Sequence, residues 1–278
     1  MRCVRNGDLF AGRHITYVGG MFRFGLAIVL LMSLLSTPAN ADCVILLHGL
    51  ARRESSFAVM EEVLKLRGYQ VVRPGYPSTK APIEELVAQT LPGAMKKCGS
   101  GKVHVVAHSL GGILVRYWLK HDRPDNLGRV VQLGPPNQGS QLVDRLSTWA
   151  MFGWLNGPAG EQLKSSGPDS LPRNLGPVDY PVGVIAGNQS LNPFFSTLID
   201  GPDDGKVGVA ETRVEGMTDH IVLPVTHTFM MNNPRVIAQS VRFIETGAFD
   251  PDLSWSDAIF DLIEGARKSQ KGREAEPK

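Results

Sequence analysis

The chain has 278 residues, 42% of them hydrophobic and 20% charged, with a formal net charge of +2. That composition excludes a wholly disordered or collagen-like chain and supplies enough apolar side chains for one large core. The basic residues are dispersed rather than gathered in a patch, which argues against nucleic acid as a partner.

In chain order, the first feature is MFRFGLAIVLLMSLLSTPANA, with Arg23, an apolar run from Leu26 to Leu35 and the small-residue site Ala39-Asn40-Ala41. These are the parts of a secretory signal peptide, and the run falls short of the ~20 residues that span a bilayer. Residues 1–41 are therefore expected to be a signal peptide cleaved after Ala41, with translation starting at Met21, and the mature protein to be exported, periplasmic or secreted. Asp42 breaks the pattern that would make Cys43 a lipid anchor. Taking away the four basic residues and one acidic residue of 1–41 leaves 25 Lys+Arg against 26 Asp+Glu, a net charge of −1.

From Asp42 onward, short β-branched runs alternate with amphipathic stretches, the pattern of parallel strands joined by crossover helices. Strands are expected at Val44 to His48, Gln70 to Arg73, Val103 to Ala107, Arg129 to Leu133, Val182 to Ala186 and His220 to Val225. Their apolar runs are continuous, as in strands buried on both faces. Helices are expected at about Ser55 to Arg67, closed by Gly68, and at about Pro82 to Lys97, kinked or broken at Pro92. Two more run from Leu110 to about Lys120 and from Pro234 to about Thr246. In the last, Asn233 is the cap, Pro234 takes the first position, and Val236, Ile237, Ser240, Val241 and Ile244 share a face.

Residues 141–177 interrupt this rhythm. STWAMFGWLNGPAG gathers Trp149, Met151, Phe152, Trp154 and Leu155, and a Gly- and Pro-rich stretch follows. Exposed apolar clusters mark binding surfaces, so this insertion is expected to be a cap over an apolar site rather than a second domain. The α/β domain covers 42–250. Residues 251–278 form an amphipathic helix from about Ser254, followed by SQKGREAEPK, polar enough to be disordered.

The chemistry centres on VVAHSLGG, which sets Ser109 between the third strand and the helix starting at Leu110. On such a turn the hydroxyl stands at the C-terminal edge of the sheet, with the N–H groups of the helix start pointing toward it. Strand and helix must approach closely, and Ala107 and Gly111 are small enough to allow it. A serine hydroxyl needs a base, and the base an orienting carboxylate, here in the chain order Ser, Asp, His. GPDDGKVGV offers Asp203 and Asp204, and THTFMMNNP offers His227. Asp204 is favoured because the Asp-Gly turn lets its carboxylate reach back, while Asp203 is expected to face solvent. His220 competes with His227 but begins the last strand, at the wrong edge of a parallel sheet. His104 lies inside a strand and His121 ends a helix, so both read as structural, whereas His48 and His108 flank the site in supporting positions. Acyl transfer also develops a negative oxygen that needs two donors. The backbone N–H groups of Leu50, just past the His48-Gly49 turn, and Leu110 are assigned to it.

Together, VILLHGL, VVAHSLGG, VVQLGPPNQGS, GPDDGKVGV and VLPVTH resemble the α/β-hydrolase superfamily, and within it small bacterial lipases and esterases, over about residues 43 to 246. The resemblance implies an α/β-hydrolase fold: a doubly wound, mostly parallel six-stranded sheet in the minimal form lacking the family's first two strands, ordered 4-3-5-6-7-8 in the family's numbering, with a cap insertion. Asn137 stands where many lipases carry histidine. TFMM follows His227 in place of the acidic stretch with which some lipases hold calcium, so no metal site is carried over.

The expected function is therefore an exported serine hydrolase, a lipase or carboxylesterase working through Ser109, His227 and Asp204 without a cofactor. An acyltransferase or amidase with the same triad, and a non-catalytic binding protein on the same scaffold, stay as alternatives. The expected partner is a small-molecule or lipid ester, with transient contact to a lipid surface. No H-E-x-x-H or Cys-x-x-Cys pattern suggests zinc, and GSGK at 99–102 precedes a strand, so it reads as a turn rather than a phosphate loop. Cys43 and Cys98 are the two cysteines outside the signal peptide, and in an exported chain they are expected to pair. The strands near them should be parallel neighbours ~4.8 Å apart.

Overall fold

Three of the strands lie deep because both of their faces are apolar. In the computed structural model, which describes residues 41–147, 157–167 and 170–274, β1 (Cys43–Leu47), β3 (Val103–His108) and β5 (Val182–Gly187) are buried along their whole length. With β2 (Gln70–Val72), β4 (Leu127–Leu133) and β6 (Asp219–Leu223) they form one sheet in the order β2-β1-β3-β4-β5-β6. Every pairing is parallel, and the order matches the one the family resemblance implies.

Side chains alternate across each strand, so neighbouring residues serve different cores. Ile45, Leu47 and Val105 meet Leu86 and Leu91 of α2 (Ile83–Cys98) and Ile113 and Leu114 of α3 (Leu110–His121). Val44, Leu46 and Val106 meet Met60 and Leu64 of α1 (Ala58–Leu66) and Val236, Val241 and Phe243 of α7 (Pro234–Thr246). The sheet is therefore wrapped on both sides. In α7, Asn233 Oδ1 accepts from the backbone N–H groups of Arg235 and Val236, and the five expected face residues are all buried.

Several expectations shift. The stretch from Ser55 opens as a 3₁₀ turn, Glu54–Phe57, before α1 begins. The helix α2 runs unbroken through Pro92 to Cys98. Pro92 and Ala88, whose carbonyl loses its helical partner, both lie on the exposed side, open to solvent. Cys98 ends this helix, and its sulfur is at bonding distance from that of Cys43, with Cα atoms 5.4 Å apart.

The insertion contributes α4 (Gln141–Leu146), a short helical turn at 157–161 and α5 (Leu171–Asn174). The aromatic cluster from Trp149 to Leu155, and residues 1–40 of the signal segment, lie outside the described residues. A short α6 (Pro193–Ser196) follows β5. At the C-terminus α8 spans Trp255–Glu274, so helix replaces the expected disorder over 269–274.

Candidate active site

Ser109 occupies the turn from β3 into α3 with φ 55° and ψ −123°. Only Ala51 shares a positive φ among the described non-glycine residues. Such a backbone persists only where its surroundings fix it. Here the Ser109 N–H donates to the Leu133 carbonyl at 2.9 Å, and its own carbonyl accepts from Gly112 N–H at 2.9 Å. Gly111 lets the helix start touch β1: a Cβ there would stand 2.6 Å from the Leu47 carbonyl oxygen and 2.8 Å from that of His48.

The loops after β5 and β6 bring the other two groups to the same edge. The Ser109 hydroxyl donates to His227 Nε2 at 3.0 Å, and His227 Nδ1–H donates to Asp204 Oδ2 at 2.7 Å. A backbone bond from His227 N–H to the Asp204 carbonyl, 2.9 Å, ties the two loops together. Asp204 Oδ1 accepts from the N–H groups of Val207 (2.8 Å) and Lys206 (3.0 Å), so both carboxylate oxygens are held and the group is buried as an acceptor. At the end of β5, Gly187 permits this approach, since a Cβ would meet the Asp204 Cβ at 2.8 Å and the Val225 carbonyl oxygen at 2.5 Å.

Asp203 does not face solvent as expected. It is buried, and its Oδ1 accepts from Gly205 N–H at 2.7 Å and Ser196 Oγ–H at 2.9 Å, because the turn that frees Asp204 needs its own carbonyl-like acceptor inside. His220 is not brought to Ser109. It bonds Thr212 Oγ1 at 2.9 Å, and burial, with Arg213 adding to it, pulls its pKa to about 4. His104 accepts from Arg129 N–H, and His121 bonds the Tyr117 carbonyl one helical turn back.

The two histidines expected to support the site make different contacts. His108 Nε2–H donates to the His227 carbonyl at 3.0 Å, with the rings 4.6 Å apart. Burial first, and His227 second, hold its pKa well below the usual value, which favours the neutral ring. His48 Nδ1–H donates to the Gly49 carbonyl at 2.9 Å, its ring stacks on Tyr76 at 3.9 Å, and burial lowers its pKa.

Leu110 N–H is the first of α3 and so has no acceptor within the helix, while Leu50 borders the cavity in front of Ser109. The Leu50 loop is pinned by residues that carried no sequence motif. Tyr76 O–H donates to the His48 carbonyl, and Ser78 Oγ accepts from Ala51 N–H at 3.0 Å. Both belong to RPGYPS after β2, where Gly and Pro mark a loop and nothing in the local pattern reveals a long-range contact. Asn137 lies buried behind the site, donating to Gln132 Oε1 and the Thr212 carbonyl at 2.8 Å each and receiving Arg116.

Ser109 and His227 open into a cavity of about 390 Å³ walled by Leu50, Leu142, Val143, Leu163, Phe195 and Val207. Arg52 and Lys206 also line it. Desolvation first, and repulsion from Arg52 second, draw the Lys206 ammonium below its ordinary pKa, although part of its side chain still reaches solvent.

A family profile described as "alpha/beta hydrolase fold" matches residues 42–202. Among solved structures, the chain is similar to the mature form of the Bacillus licheniformis lipase BlEst2, at 22% identity over 74% of this chain and 90% of that one, TM-score 0.55. It is similar also to phospholipase PlaB from Legionella pneumophila, at 15% identity over 84% and 65%, TM-score 0.59. A third likeness is to the lin2722 gene product of Listeria innocua, at 18% identity over 76% and 100%, TM-score 0.51. At such identities these likenesses speak for the fold alone. No curated protein matches the sequence significantly.

Proposed function

The chain belongs to the α/β-hydrolase family, and we propose that within it the protein is an exported serine hydrolase of carboxylic esters, a lipase or carboxylesterase. The observation that carries this reading is the continuous hydrogen-bond chain Asp204–His227–Ser109, ending in a cavity with mostly apolar walls. Ser109 Oγ attacks the ester carbonyl while its proton passes to His227 Nε2. Asp204 keeps Nδ1 protonated and stabilises the imidazolium that forms. The carbonyl oxygen becomes an oxyanion, which Leu50 N–H and Leu110 N–H are assigned to receive. As the intermediate collapses, the C–O bond to the alcohol breaks and His227 returns the proton to that alcohol. Water, deprotonated by His227, then attacks the acyl-enzyme, and the acid leaves with Ser109 restored.

Two further elements of the reading are export through residues 1–41 and a Cys43–Cys98 disulfide in the mature protein. The bridge is what an oxidising compartment would support. It lies at the N-terminal edge of the sheet, away from Ser109.

The test is fluorophosphonate labelling of the mature protein, followed by a series of p-nitrophenyl esters of increasing chain length. Labelling of Ser109 with turnover that disappears in both Ser109→Ala and His227→Ala is the expected result. A folded Ser109→Ala protein that still turns over esters would overturn the assignment. An unlabelled, inactive wild type would favour a binding protein on the same scaffold, and faster acyl release to added alcohols or amines than to water would favour an acyltransferase.

A further inference from the structure

The walls of the Ser109 cavity carry an uneven charge. Arg52 and Lys206 both line it, and no acidic residue does among the described lining residues. Neither cation makes an ion pair among the described residues. Among the described residues the Arg52 guanidinium bonds only the Thr228 carbonyl, through Nη2 at 3.4 Å, which leaves most of its donors unspent there. The carboxylate whose charge acts on Lys206, that of Asp204, is already held by His227 and two backbone N–H groups. Outside residues 1–41 the chain carries a net charge of −1, so the pair is no by-product of a basic surface.

The backbone of each cation is also held by the machinery it adjoins. Arg52 follows Leu50 in the loop pinned by Ser78, with its own N–H donating to the Gly49 carbonyl at 3.3 Å. Lys206 follows Asp204, and its backbone N–H is one of the two that hold Asp204 Oδ1. The two side chains lie close enough to repel each other. A site for a neutral ester has no use for that repulsion. A substrate that brings an anion into the cavity relieves it, at a fixed position relative to Ser109.

We infer that Arg52 and Lys206 select the substrate: the preferred ester is amphiphilic, with its apolar part against Leu142, Val143, Leu163 and Phe195 and an anionic group, phosphate or carboxylate, between the two cations. The inference rests on the hydrolase reading for its catalytic consequence and on the cavity alone for binding. A guanidinium offers a fork of donors to either anion, and the ammonium adds a point charge.

The experiment reads binding and turnover separately. Ser109→Ala protein, which needs no chemistry, is titrated calorimetrically with octyl phosphate, octanoate and octanol. At least one anion is expected to bind about tenfold more tightly than octanol, the scale of a charged hydrogen bond, and the margin should shrink as salt is raised. Adding Arg52→Gln and Lys206→Gln should remove the margin, with circular dichroism showing that the variant is folded. Which anion gains more identifies phosphate or carboxylate as the natural group. In the protein with Ser109 intact, dihexanoylglycerol phosphate is compared with dihexanoylglycerol, and the nonanedioic acid mono-p-nitrophenyl ester with the nonanoate. The ratio of kcat/KM within a pair should favour the anion and fall about tenfold in the double variant. Equal binding of both anions and octanol, or a margin that survives the double substitution, overturns the inference even if esters are hydrolysed. An intact binding margin with no turnover on any ester would instead overturn the hydrolase reading and leave the anion site standing.

Discussion

Replacing Gly111 by alanine tests whether the site depends on backbone contact between β1 and the start of α3. The new Cβ would sit 2.6 Å from the Leu47 carbonyl oxygen and 2.8 Å from that of His48. Both obstacles are backbone, so neither can rotate away, and separating them to 3.0 Å requires a shift of at least 0.4 Å. Leu47 ends β1, and His48 leads directly into Gly49 and Leu50, so the displacement passes to the loop assigned as oxyanion donor. If a 1 Å misplacement costs about 10²-fold, half of that distance costs about tenfold in kcat/KM. Overpacking of this kind costs about 1–3 kcal/mol of stability, which in a domain of this size lowers Tm by roughly 5 °C. Steady-state kinetics on p-nitrophenyl butyrate and a thermal melt measure the two effects. A variant with wild-type Tm and a kcat/KM within about twofold of wild type would refute the contact argument, since a 0.4 Å backbone conflict cannot be silent in both.

Asp204→Asn should lower kcat by about 10⁴-fold, because the amide holds His227 in the wrong tautomer. Asp203→Asn keeps an acceptor oxygen for Gly205 and Ser196 and should cost far less, so a larger kcat loss in Asp203→Asn would reverse the assignment. Replacing both Cys43 and Cys98 by alanine frees a loop with a sequence separation of 55. The chain-entropy cost is about 4 kcal/mol, and because the bridge lies at the far edge from Ser109, kcat should hold while Tm falls; an unchanged Tm would sink the proposed bridge. Stability should also fall between pH 7 and pH 5. His108, His48 and His220 have depressed pKa values in the folded chain, His220 at about 4, so below the unfolded value near 6.5 these three groups take up protons more readily in the unfolded chain. Urea midpoints should be flat above pH 7, drop below it, and drop less steeply in His220→Gln; an equal slope in that variant would remove His220 from the account.

The sheet could be read from sequence because parallel strands buried on both faces must be apolar throughout, and Val44, Val105, Val130 and Val184 fall in such runs. Helix ends with side-chain signals were legible too: Asn233 and Pro234 begin α7 as their chemistry requires. Pro92 does not break α2, because its cost depends on which side of the helix it faces, and that is set by how α2 lies on the sheet. The polar tail misled for a related reason. Arg67, just past the end of α1, reaches Asp261 on α8, a contact between distant segments that no local composition reports.

The sequence by itself determined the strand–turn–helix around Ser109 and the order in which Asp204 and His227 follow it, since turn geometry and topology put the ends of parallel strands at one edge. Only the tertiary structure decided that Asp203 is buried, that Tyr76 and Ser78 brace the Leu50 loop, and that Arg52 and Lys206 share one cavity. These facts depend on loops from different crossovers meeting in space. Each loop closes locally with ordinary Gly, Pro and Asp chemistry, and its long-range partner is chosen only when the sheet brings the loop ends together.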